Sequence, residues 1–242
     1  ANTELSPELV YKVAKAGAYV LSKHTDKAPT ILIGRDTRLS GTLIESAMVA
    51  GFLSYGANVK LLGVIPTPAV AYLTRKLQAD ASVVISASHN TFEFNGIKYL
   101  SNKGMKIPDS LEEEIEEVMD SGKIDELTAV SSKIGISEYR ADLLDEYVYF
   151  FRKNFDDNFD KIHRDDFVVG IDTANGATSV VAEKVFKALG IKYKIIHNHP
   201  DGININDNCG STHLDSLKKF VVENKLSLGV AYDGDGDRVG LI

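Results

Sequence analysis

Three aspartates alternate with glycines in Tyr232-Asp233-Gly234-Asp235-Gly236-Asp237-Arg238. Carboxylates this close together repel one another unless positive charge sits among them, and a hard dication with oxygen ligands meets that need. Glycine between ligands lets the backbone fold tightly around such an ion. An acidic hairpin turn is the competing reading, because Asp-Gly favours such turns; the charge argument favours the metal. An EF-hand does not fit, since Arg238 stands where that loop needs glycine and no glutamate follows. Three carboxylates leave an octahedral shell incomplete, and Mg²⁺ commonly completes it with phosphate or water oxygens.

A second stretch offers that oxygen. In Val83-Val84-Ile85-Ser86-Ala87-Ser88-His89-Asn90 a short apolar run ends abruptly in small and polar residues. The pattern predicts a buried strand that leaves a hydroxyl, an imidazole and an amide at the C-terminal mouth of a sheet, where open α/β proteins build their sites. Read alone, Ser-His-Asn is a polar turn before it is a reactive group. Read with the aspartate loop, a serine carrying a phosphoryl group would lend an oxygen to the metal. Arg238 would then steady the phosphoryl oxygens.

The elements that must position these loops follow a simple order. Ser6-Pro7-Glu8 reads as a helix start, with Val10, Val13, Gly17, Val20 and Leu21 on one face. Strands are expected at Ile31–Ile33, Val59–Leu62 and Val83–Ile85, with helices between them at about Leu43–Tyr55 and from Thr67-Pro68 onward. Gly56 is the expected stop of the first of these helices. A short strand at Gly96–Leu100 and an acidic helix from Pro108-Asp109 follow; the glutamate run of that helix reads as a solvated face. Another helix, about Tyr139 to Asn154, bridges to a second unit.

That second unit repeats the first. Val168-Val169-Gly170-Ile171-Asp172-Thr173 echoes Leu32-Ile33-Gly34-Arg35-Asp36-Thr37, and Leu189-Gly190 echoes Tyr55-Gly56. Strands at Lys194–Ile196 and Leu228–Ala231 complete the copy. In both copies the third strand leads into the unusual loop. The fold class expected is therefore α/β: two consecutive β-α-β-α-β domains, residues 1–138 and 139–242, each a mixed, mostly parallel sheet covered by helices.

Composition sets bounds on partners. A chain of 242 residues can bury two cores. A formal net charge of -7 argues against general nucleic-acid binding, and no apolar segment approaches a membrane span. The lone Cys209 rules out an intrachain disulfide and suits a reducing, cytoplasmic setting. It also weakens a zinc reading with His213, for which no second cysteine exists. Cys209 reads as a small packing residue, and His197 and His199 read as surface residues. The sequence opens without methionine and stops within Val239-Gly240-Leu241-Ile242, as expected of a piece of a longer chain.

Taken together, Ile85–Asn90, Asn95-Gly96-Ile97-Lys98 and Asp233–Arg238 resemble the α-D-phosphohexomutase superfamily. Gly34-Arg35-Asp36-Thr37-Arg38, Thr67-Pro68 and Asp172–Ala177 fit its pattern in the same order, so the resemblance spans nearly the whole chain. Asn208-Cys209-Gly210-Ser211-Thr212-His213 is most similar to the bacterial phosphoglucosamine mutase branch. The resemblance implies a phosphorylated Ser88 that passes its phosphoryl group to a hexosamine phosphate through a bisphosphate, with the sugar bisphosphate also serving as activator. It implies one Mg²⁺ on Asp233, Asp235, Asp237 and the Ser88 oxygen. Lys98 becomes the general acid/base candidate, and His89 and Arg238 contact the phosphoryl group. Arg35, Asp36 and Arg38 serve equally well as substrate contacts or as an ion-pair cluster bracing the serine loop. A homodimer is also compatible with the family.

Thr91 stands where most relatives have proline, and Phe92-Glu93-Phe94 replaces the usual residues before Asn95-Gly96. The resemblance also implies an opening glycine-rich segment and two C-terminal domains, which recognise the sugar and clamp its phosphate, and these are expected to lie outside this sequence. The expected activity of this chain alone is accordingly little or none. Phosphomannomutase/phosphoglucomutase is the alternative within the class, and a non-catalytic Mg²⁺-binding fragment the alternative outside it.

Overall fold

The computed structural model describes residues 3–159 and 166–242. Helix α1 (Pro7–Leu21) starts where Ser6 accepts a hydrogen bond from the Leu9 N–H at 3.3 Å, with Pro7 in the first turn. Strand β1 (Thr30–Arg35) then enters the sheet, followed by α2 (Gly41–Tyr55), β2 (Asn58–Val64), α3 (Thr67–Lys76) and β3 (Ala81–Ile85). Gly56 ends α2 at φ 105°, a left-handed conformation that only glycine adopts without strain. Beyond the serine loop come β4 (Ile97–Ser101), α4 (Asp109–Asp120) and β5 (Ser137–Tyr139).

These strands form one sheet in the order β4-β3-β1-β2-β5. β1 pairs parallel with β2 and β3, and β4 runs antiparallel to β3. All five residues of β3 are buried, because helices cover both faces; hence its unbroken apolar run. Val10 of α1, Met48 and Phe52 of α2 and Ile115 of α4 pack on one face. Leu73 of α3 packs on the other. Burying Val83, Val84 and Ile85 contributes about 1.5–3 kcal/mol per side chain.

The bridging helix α5 (Leu144–Phe159) starts five residues after Tyr139, which instead closes β5 on the first sheet. The second unit comprises β6 (Val168–Asp172), α6 (Ala182–Ala188), β7 (Lys192–Ile196), α7 (Asp215–Glu223), β8 (Leu228–Tyr232) and β9 (Val239–Leu241). Its sheet order, β7-β6-β8-β9, reproduces the first sheet's β2-β1-β3-β4, including the antiparallel last strand. The repeat read from the sequence is thus a repeat of topology. Tyr147 of α5 shares a buried cluster with Leu73 of α3 and Val185 of α6, so the bridge is packed against both units.

Candidate functional site: a serine and an aspartate loop face to face

Both unusual loops leave the C-terminal ends of their sheets and meet. Ser88, 8% exposed, donates from Oγ to Asp233 Oδ2 at 2.6 Å. Lys98 on β4 places Nζ 2.7 Å from Asp235 Oδ2 and 3.9 Å from Asp237 Oδ2. Thr67, at the start of α3, donates to Asp235 from its hydroxyl at 2.7 Å and to the Asp235 carbonyl from its backbone N–H at 2.9 Å. At the rim, exposed Arg238 and His89 approach each other at 2.8 Å between Nη1 and Nδ1. Ser88, His89, Lys98, Asp233, Asp235, Asp237 and Arg238 therefore converge on one place.

The three carboxylates offer oxygen atoms within 4.8 Å of one another, and Asp235 Oδ1 is buried with no hydrogen-bond partner. An orphaned buried carboxylate oxygen is costly, and a cation supplies what it lacks. Hard oxygen donors aimed at one point, with a serine oxygen beside them, fit Mg²⁺. Their charges are managed unequally. Burial raises Asp233 above the ordinary carboxyl pKa, with Asp235 adding to the shift and the Ser88 hydrogen bond opposing it. Burial also pushes Asp235 upward, but the Lys98 hydrogen bond and charge, with Thr67, outweigh it and leave that carboxyl low. Asp237 is raised by burial and by the neighbouring Asp235 charge.

The serine loop is held from below. Ser88 adopts φ 53°, which a residue with a side chain rarely takes, so its surroundings must enforce it. Ser86, the other serine of the pair, donates from Oγ to Asp36 Oδ2 at 2.6 Å and accepts from the Ser88 N–H at 2.9 Å. Ser86 is therefore committed to holding Ser88 in place. Arg38 is fully buried and pairs with Asp36 at 2.8 Å. Its guanidinium also donates to the carbonyls of Ser88, Asn90 and Phe94 at 3.1, 2.8 and 3.0 Å, and to that of Thr91. Asp36 and Arg38 are the brace rather than substrate contacts. Arg35 instead pairs with Glu45 at 3.3 Å and donates to the Asp36 carbonyl at 3.4 Å, and does not reach the serine-loop carbonyls that Arg38 binds. The departures at Thr91 and Phe94 are absorbed because Arg38 binds their backbone, which every residue type provides.

The second unit uses the same device. Asp172 accepts from the Ala174 N–H at 2.8 Å, as Asp36 accepts from the Arg38 N–H at 3.0 Å. Its other oxygen accepts from the Gly210 N–H at 2.9 Å and lies 3.0 Å from His197 Nδ1. His197 is thus an ion-pair partner of a buried carboxylate, contrary to the surface reading. Its loop spacing concealed a contact made across the strand ends. Cys209 is buried as a packing residue, and its thiol is pushed up to about 12 by burial and by the Asp172 and Asp207 charges.

Sequence reasoning passed over Asn206 and left Thr67 as part of a pattern. Asn206 donates from its amide to the carbonyls of Ser88 at 2.9 Å and Asn90 at 2.8 Å. Three asparagines alternate in Asn204-Ile205-Asn206-Asp207-Asn208, and nothing local distinguishes the one that turns inward.

Two α/β units joined through a serine loop and an acidic loop define a two-unit α/β chain with one shared site. The fold of a putative phosphomannomutase from Thermus thermophilus matches with a TM-score of 0.80 at 24% identity, over 96% of this chain and 52% of that one. A phosphoglucomutase/phosphomannomutase family protein from Burkholderia thailandensis matches with a TM-score of 0.76 at 22% identity, over 98% and 50%. The family model "Phosphoglucomutase/phosphomannomutase, alpha/beta/alpha domain I" matches residues 1–125 and domain II matches residues 145–242. The chain belongs to the phosphoglucomutase/phosphomannomutase family. It is 50% identical over 240 residues to a phosphoglucosamine mutase of Clostridium kluyveri and 48% identical over 239 residues to one of Ruminiclostridium cellulolyticum. Those alignments take in 98% and 99% of this chain, which spans about half the length, 52%, of each relative.

Proposed function

We propose that this chain is the phosphoserine and metal-loop half of a phosphoglucosamine mutase, which interconverts glucosamine 6-phosphate and glucosamine 1-phosphate. The observation that carries the reading is the 2.6 Å contact between Ser88 Oγ and Asp233 Oδ2. The names of the relatives at 48–50% identity support the sugar.

Ser88 carries the phosphoryl group. Transfer breaks the phosphorus–Oγ bond as the free sugar hydroxyl forms its own bond to phosphorus. The resulting bisphosphate turns over in the cleft and returns its other phosphoryl group to Ser88. In this reading Lys98 moves the hydroxyl's proton, and His89 and Arg238 steady the phosphoryl oxygens from the rim. Asp233, Asp235, Asp237 and Ser88 would hold Mg²⁺, whose charge offsets that of the transferring group. Such transfer rests mainly on positioning and charge, which accounts for the rigid bracing of the serine loop.

We divide the chain into residues 1–138 and 139–242, a cut that falls within β5, before its last residue Tyr139. In this reading the sugar-recognising and phosphate-clamping parts would lie outside this chain, which spans 52% of the length of those relatives. We place the protein in the cytoplasm, as its one buried cysteine suits; among the described residues no helix is long and apolar enough to cross a membrane.

Intact mass of the purified chain after exposure to glucose 1,6-bisphosphate, with peptide mapping, tests this reading. One added phosphate on Ser88, absent from Ser88→Ala, is expected. Phosphate elsewhere with Ser88 bare refutes the assigned carrier. Mg²⁺ binding without any loading of Ser88, also in the full-length enzyme, leaves a metal-binding fragment instead.

A further inference from the structure

We infer that Asn206 is a positioning residue for Ser88, acting across the boundary between the two units; the inference rests on Ser88 being the phosphoryl carrier. The Ser88 carbonyl accepts from Arg38 at 3.1 Å and from Asn206 at 2.9 Å. The Asn90 carbonyl accepts from the same two side chains, each at 2.8 Å. Arg38 belongs to the first unit and Asn206 to the second, 118 positions beyond Ser88. Each carbonyl thus has both lone pairs engaged, one from each side of the boundary.

The consequence concerns the left-handed backbone at Ser88. That conformation is strained for a residue with a side chain and persists only where the surroundings over-determine it. Arg38 alone binds a loop that still belongs wholly to the first unit. Asn206 adds the constraint that orients Ser88 toward Asp233, because its own loop is tied to the same unit as the aspartates. The Asn206 N–H donates to the Ala174 carbonyl at 2.9 Å, and the Ser211 N–H donates to the Tyr232 carbonyl at 3.0 Å, immediately before Asp233. Asn206 is 3% exposed, so its two donors face no competing water. Its own φ of 57° suits asparagine, which tolerates that region better than most residues. The side chain therefore couples docking of the second unit to presentation of the serine.

Asn206→Asp keeps the shape and the tolerated backbone but replaces both donated hydrogens with acceptors. Asn206→Gly removes the side chain without backbone strain. Asn208→Gly is the control, since φ is 51° there and, among the described residues, the Asn208 amide donates to its neighbour Asp207. Amide hydrogen exchange of the Ala87–Thr91 segment is followed in the 242-residue chain, together with Ser88 loading from glucose 1,6-bisphosphate by intact mass. Loss of two hydrogen bonds should speed exchange in that segment by roughly ten- to a hundredfold and slow loading by a similar factor, with the far-ultraviolet spectrum unchanged and Asn208→Gly unaffected. Unchanged exchange in both Asn206 variants overturns the inference. Exchange that rises throughout the chain equally overturns it, since that marks general loosening. If Ser88 is never loaded, in the full-length enzyme as well as in this chain, the functional reading fails, while exchange still decides whether Asn206 holds the loop.

Discussion

Ser88 and Asp233 lie 145 positions apart, yet the hydroxyl of one donates to the carboxylate of the other at 2.6 Å. Each follows the third parallel strand of its own unit, so two copies of one topology bring their special loops together mouth to mouth. The contact ties the serine oxygen to the carboxylate cluster that includes Asp235, whose second oxygen is buried and has no hydrogen-bond partner.

That orphaned oxygen makes Asp235 the most informative ligand to alter. Asp235→Asn removes one charge and one hard donor while keeping the shape. Mg²⁺ affinity should fall by more than the roughly 10–100-fold that loss of an outer-shell partner costs. Isothermal calorimetry reads this directly, and unchanged affinity would remove Asp235 from the metal loop.

The close approach of the loops depends on Gly234. A Cβ there would lie 2.5 Å from the Ser88 carbonyl oxygen and 2.7 Å from the Asn206 amide nitrogen, neither of which can retreat without losing its hydrogen bonds. Gly234→Ala should therefore force the loops apart, at a cost of about 1–3 kcal/mol, typical of overpacking. Chemical denaturation should show the loss, and Ser88 loading should fall with it; a fully stable Gly234→Ala would mean the loops adjust freely.

Arg38 is buried together with Asp36, both side chains at 0% exposure. Removing the guanidinium leaves the carboxylate without its counter-charge and takes a donor from four carbonyls. For Arg38→Met we expect a loss of about 3–5 kcal/mol in urea unfolding, the scale for breaking a buried pair. A loss under about 1 kcal/mol, the scale of an exposed pair, would show that the cluster is not the brace described.

His197 provides a pH signature. Its contact with Asp172 holds the imidazole pKa above the ordinary 6.5, with burial opposing. A raised folded-state pKa stabilises the fold fully below the unfolded value, and the contribution is lost as pH rises through the folded value. Thermal stability should therefore decline from about pH 6 to pH 8 more steeply in the unaltered chain than in His197→Asn. Identical slopes would mean that the pair contributes nothing.

Much of this architecture is written in local pattern. Short apolar runs, helix starts such as Ser6-Pro7 and the αL stop at Gly56 depend on neighbours in the chain, so the order of elements and the internal repeat were legible in advance. The chemistry at Ser88 and Asp233–Asp237 was legible as well, because residue type and spacing alone restrict what such loops can bind. The start of α5 was placed early because the short edge strand β5, only three residues and exposed, has no apolar alternation to announce it.

What only the tertiary structure decided are the choices among chemically similar residues. Arg38 rather than Arg35 faces the serine loop, Ser86 braces while Ser88 is presented, and Asn206 turns inward while Asn208 stays out. His197, placed by sequence on the surface, meets a buried carboxylate. Each outcome depends on how distant elements dock, across the two sheets for Asn206 and across the strand ends of one sheet for His197. Side-chain type determines what a residue can bond; only the packing of those elements determines which partner stands within about 3 Å of it.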